Sequence, residues 1–160
     1  MKKKLMLLVA LVFILSMALA ACGDSENAAP PAKNMAVATI SDGEFPIDVK
    51  VDVSTGLSVA FYDDGFSLFD GEFDDSTPPL ATATILASDE VYEEYYDKYK
   101  DSESFSEEYG ICQYTSIVDE ICYLYKIGEK IPFLISFDKS VDADRAEEII
   151  GCLEFDYDNE

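Results

Sequence analysis

The sequence predicts an α+β domain, a curved antiparallel sheet of about six to eight strands carrying two helices. Three observations lead there. Strand-like runs alternate apolar and polar residues with a period of two, most cleanly where Ile47, Val49, Val51 and Val53 alternate with Asp48, Lys50 and Asp52. Gly-containing turn signals separate these runs at short intervals. Only two segments, 88–101 and 141–153, show helical spacing, and they fall after groups of strands rather than between single strands.

Residues 35–40 form a short apolar run closed by Ser41-Asp42-Gly43, and the alternating run at 47–53 follows. Ser54-Thr55-Gly56 turns the chain into 57–62, and Asp64-Gly65 reads as a hairpin turn because both residue types tolerate positive φ. Residues 66–69 answer it, and Asp70-Gly71 is a second turn signal. The first half therefore reads as an antiparallel meander. Pro78 and Pro79 mark 74–79 as a loop, since proline donates nothing to a sheet.

Residues 80–87 read as a buried strand that ends at Ser88, a helix N-cap followed by Asp89 and Glu90. The helix at 88–101 places Val91, Tyr92, Tyr95, Tyr96 and Tyr99 on one face and acids on the other. Its tyrosines must pack on something, with Tyr95 and Tyr96 the first to be left for an interaction face if the sheet does not cover them. A polar loop at 102–108 leads to strands at 109–116, 120–127 and 131–137, the last two joined by a tight turn at Gly128-Glu129. Pro132 belongs at the start or edge of its strand. The helix at 141–153 buries Ala146, Ile149, Ile150 and Leu153, and a short strand over 153–157 ends the domain. This order, a meander, a helix, a sheet and a terminal helix over 35–157, resembles the PsbP/Mog1-like fold. The resemblance is one of element order and transfers no functional residue. Cystatin-like and ferredoxin-like arrangements are the alternatives.

The N-terminus is organised differently. Lys2, Lys3 and Lys4 precede an apolar core over 5–17, followed by small residues and Cys22. That is the layout of a secretory signal peptide, and its length is at the low edge of what spans a bilayer. Leu19-Ala20-Ala21-Cys22 resembles the lipobox of bacterial lipoproteins. The resemblance implies cleavage between Ala21 and Cys22 and a covalent lipid on the Cys22 thiol. It also implies a location on the extracytoplasmic side of the bacterial membrane. The expected organisation is a signal over 1–21, a lipidated tether over 22–34 containing Pro30-Pro31, and one domain over 35–160.

The chain carries 33 acidic and 11 basic residues and no His. Removing the signal, with its three lysines and no acid, takes the net charge from −22 to −25. Such a surface repels phosphate backbones and anionic headgroups, so nucleic acid is not an expected partner. Without His, without G-x-S-x-G and without a Gly-rich phosphate loop, no catalytic constellation stands out. The expectation is a non-catalytic lipoprotein that needs no cofactor and binds or scaffolds an envelope protein. A ligand- or calcium-binding accessory protein is the alternative, with Asp63, Asp64, Asp70, Asp74 and Asp75 as candidate oxygen ligands. Beyond Cys22, the odd number of cysteines leaves at least one free: Cys112 and Cys122 fall on neighbouring strands and are candidates for a disulfide, and the alternative is that they and Cys152 are three small apolar residues.

Overall fold

Alternation along the strands decides which face each one turns inward, and the faces sort the domain into two sheets. The computed structural model describes residues 33–157 apart from 42, 74 and 75. The signal, its cleavage site, Cys22, the tether up to residue 32, Asp74 and Asp75 lie outside the described residues. The strands are β1 (Met35–Ser41), β2 (Pro46–Asp52), β3 (Leu57–Phe61), β4 (Gly65–Asp70), β5 (Ala81–Ile85), β6 (Ser106–Glu108), β7 (Ile111–Thr115), β8 (Ile121–Ile127), β9 (Ile131–Phe137) and β10 (Leu153–Asp156). Helix α1 (Asp89–Tyr99) lies between β5 and β6, and α2 (Ala143–Ile150) between β9 and β10. The fold is α+β, with a three-stranded sheet ordered β1-β2-β10 and a seven-stranded sheet ordered β3-β4-β5-β9-β8-β7-β6. Every pairing within them is antiparallel.

The expected single sheet is divided because the chain changes sheets after β2. Asp52 caps a short 3-10 turn over Val53–Thr55, accepting the Ser54 N–H at 3.0 Å, and Gly56 leaves it in the left-handed conformation at φ 89°. A two-residue hairpin there would have laid β3 beside β2. The longer turn instead carries β3 across to pair with β4.

The inner faces of the two sheets meet in the main core. Ile47, Val49 and Val51 of β2 face Phe66 and Leu68 of β4, Ala83 of β5, and Phe133, Ile135 and Phe137 of β9. Ala146 and Ile149 of α2 join this core. On its other face the large sheet receives α1, where Tyr99 stacks on Tyr114 with ring centroids 4.1 Å apart and planes 13° apart. Ser88 caps α1 by accepting the Val91 N–H, as its sequence predicts.

Local differences have local causes. Asp64 and Gly65 do not take positive φ, and the β3–β4 turn runs through Tyr62, Asp63 and Asp64, closed by Tyr62 N–H donating to the Gly65 carbonyl at 2.8 Å. Gly65 is required for another reason: a Cβ there would lie 2.1 Å from the Ala83 carbonyl oxygen on β5. Gly128 and Glu129, at φ 61° and 66°, do form the tight turn expected of them. Part of the polar loop at 102–108 is strand β6, three exposed residues held by backbone pairing with β7. Helix α2 is shorter than expected because Asp142 caps it, accepting the Arg145 N–H at 2.9 Å, and its last turn closes at Gly151.

Candidate functional site

Each sheet has two edge strands, and an edge presents unpaired N–H and C=O groups to any extended segment nearby. Two edges are guarded by acids: β6 reads Ser-Glu-Glu and β10 reads Leu-Glu-Phe-Asp. The other two, β1 (MAVATIS) and β3 (LSVAF), carry no charge, in a chain with 33 acidic residues. These two uncharged edges lie beside each other and run in the same direction. At one end the Ser41 N–H donates to the Asp63 carbonyl at 2.7 Å. Among the described residues that is the only backbone hydrogen bond joining them.

Parity along each strand fixes where the remaining backbone groups point, because both polar groups of a residue in an antiparallel ladder face the same side. Ser41 faces β3, so Met35, Val37 and Thr39 do too. Gly56 accepts from Gly71 and Tyr62 donates to Gly65, so the even-numbered residues of β3 serve β4. Leu57, Val59 and Phe61 therefore direct their N–H and C=O groups toward β1, as Asp63 does. Two rows of backbone donors and acceptors face one another across a groove.

At the Val53–Val59 end lies a shallow pocket of about 560 Å³, open to solvent, to which β1 contributes Ala36. Ala36, Val53, Leu57 and Val59 give it an apolar floor continuous with the main core, while Gly56, Gly71 and Glu72 form its rim. Gly56 and Gly71 both have positive φ, and the Gly71 N–H donates to the Gly56 carbonyl at 2.9 Å. Ser58, also on the lining, has a buried hydroxyl with no hydrogen-bond partner among the described residues. Asp52 is buried beside the groove, and its carboxyl is held below the ordinary range, first by the Ser54 hydroxyl. The arrangement suits an extended peptide paired along one free edge, with a shallow apolar seat beside it.

The sites expected from the sequence are placed elsewhere. Asp63 and Asp64 lie in the β3–β4 turn and Asp70 at the far end of β4, where it faces Arg145 at 3.7 Å. The length of the strand separates them, and no group of three potential metal ligands occurs among the described residues. The candidate bridge between Cys112 and Cys122 is corrected, because both thiols are free. In the β7–β8 register Cys112 faces Leu124 and Cys122 faces Tyr114. The two cysteines are thus diagonal neighbours, about 7–8 Å apart by Cα, too far for a disulfide. Burial pushes all three thiols, Cys152 included, above their ordinary value, so they are poor nucleophiles. Tyr95 and Tyr96 are half-buried against the α1 side of the sheet, and Tyr96 donates to Glu107 at 3.2 Å. They belong to the helix–sheet contact more than to a free face.

The slot itself went unread in the sequence. Its one signal is the absence of charge over 35–41 and 57–61, and nothing local shows that these two runs become facing edges. No protein-family model, curated protein or solved structure matches the chain.

Proposed function

We propose that this protein is a lipid-anchored, extracytoplasmic, non-catalytic domain that holds an extended segment of an envelope protein on its uncharged β1 edge, beside β3. The observation that carries this reading is the pair of neighbouring, uncharged edges with an apolar pocket at one end, when the other two edges bear acids. The Leu19-to-Cys22 resemblance to a lipobox supports the anchor. The net charge supports a cationic segment as the occupant, steered by long-range attraction and seated by backbone pairing.

Val37→Pro tests the slot. The Val37 N–H faces β3, so proline removes a donor from the slot and none from the β1–β2 ladder. The wild type is expected to recover an envelope protein under mild cross-linking, and the variant to fold, stay on the membrane and recover none. Undiminished recovery of that protein would sink the reading. Cys22→Ala tests the anchor separately: fatty-acid labelling and membrane retention should both disappear.

A further inference from the structure

The turn joining β7 to β8 carries Ile117 and Val118, which are 80% and 57% exposed. This turn is locked. The Ser116 N–H donates to the Glu120 carbonyl at 2.8 Å, and the Asp119 N–H to the Ser116 carbonyl at 3.1 Å. The Ser116 hydroxyl oxygen accepts from the N–H groups of Val118 at 3.3 Å and Glu120 at 3.2 Å. Asp119 closes the turn at φ 64°, a conformation open to Asp at modest cost. The two aliphatic side chains are thus held outward and cannot fold back onto the sheet.

Antiparallel register fixes the end of the domain at which this tip lies. The pairs Thr115–Ile121, Cys122–Ser136, Ala81–Phe137, Leu68–Ala81 and Leu57–Asp70 form a row along one end of the large sheet. The chain enters at that same end. The Val53 N–H, just ahead of β3, donates to the Asn34 carbonyl at 2.8 Å, and Lys33 pairs with Glu154 at 3.3 Å. Phe73, 49% exposed beyond β4, also lies there. The exposed tyrosines, Tyr62 and Tyr109, occupy the turns at the opposite end, where a hydroxyl suits a ring to water. Lys33 is eleven residues beyond Cys22, about 36–40 Å even at full extension. A lipid on Cys22 therefore holds the chain entry within that distance of the bilayer and makes this end the first to reach it.

We infer that Ile117 and Val118 seat in the interfacial layer of the lipid bilayer, fixing the orientation of the domain on its anchor. The inference rests on lipidation of Cys22. Asp119 and Glu120 follow directly, so uncharged, zwitterionic headgroups are the favoured surface and anionic ones are disfavoured.

The chain has no Trp, so Ile117→Trp in the full lipidated protein is a lone reporter. On phosphatidylcholine vesicles its emission should move to the blue and be quenched by brominated acyl chains. Tyr109→Trp, at the other end, should keep the emission of a water-exposed indole. Flotation of the same samples reads the anchor independently. If the Ile117→Trp protein floats while its indole stays water-like and unquenched, the inference is overturned and the anchor left standing. A blue shift that appears only when a membrane protein is added assigns the tip to a protein pocket and also overturns it. Protein that carries no lipid and does not float removes both.

Discussion

Single residues in this domain are explained by what stands next to them more than by their local propensity. Gly65 follows Asp64 in a turn-like dipeptide, yet the feature that requires glycine is a backbone 2.1 Å from where a Cβ would sit. Gly65→Ala must part β4 from β5, and we expect a loss of about 2–4 kcal/mol in denaturant unfolding. A loss below half a kilocalorie would show that the two strands can yield. Asp52 gives a pH prediction. Its carboxyl is depressed below 3.8, first by the Ser54 hydroxyl, against the opposing effect of burial. The ionised form is therefore favoured by folding. Its contribution is fully present above pH 3.8 and disappears as the pH falls through the lower folded value. Asp52→Asn should flatten the acid limb of the stability curve below pH 3.8, with little change in its shape near neutrality. An acid limb identical to the wild type would assign that limb to other carboxylates, such as Asp138, which Ser140 depresses in the same way.

At the scale of elements, the sequence was most legible where periodicity and caps agree. Ser88 with Asp89 and Glu90 announced α1, and the tyrosine stripe announced that it packs on a sheet. Tyr99→Ala should therefore cost about 3–5 kcal/mol, as for other large aromatic truncations, because its ring stacks on the fully buried Tyr114. Ser88→Ala should cost only about 1 kcal/mol. If the two losses were equal in thermal or denaturant unfolding, the helix would owe its place to its cap and not to its stripe. Strand β6 was illegible because Ser106, Glu107 and Glu108 have no buried face to pattern them. The division into two sheets was illegible for a related reason. Ser54-Thr55-Gly56 announces a turn, but only the Asp52 cap and the left-handed Gly56 make it long enough to change sheets.

For the whole molecule, charge and edges are linked. With 33 acids and few bases, self-repulsion works against the compact state, and added salt should screen it. Raising ionic strength from low to physiological is expected to increase Tm, and an unchanged or lower Tm would mean that the acids are already compensated. The same charge protects the exposed edges β6 and β10 but is absent from β1 and β3. Which runs become edges, and which edges face each other, follows from long-range pairing that no local pattern encodes, so the candidate slot emerged only with the fold. The Leu19-to-Cys22 motif, in contrast, is a wholly local signal, and the anchor it implies is a proposal that lies outside the described residues. Site-specific photo-crosslinking in intact cells tests the central reading most directly, with the photoreactive residue placed at Val37 on β1 or at Glu107 on the guarded edge β6. The account predicts one discrete adduct from Val37, to an envelope protein other than this chain, and none from Glu107. Equal adducts from both positions, none from either, or an adduct of twice this chain's mass from Val37 would contradict it.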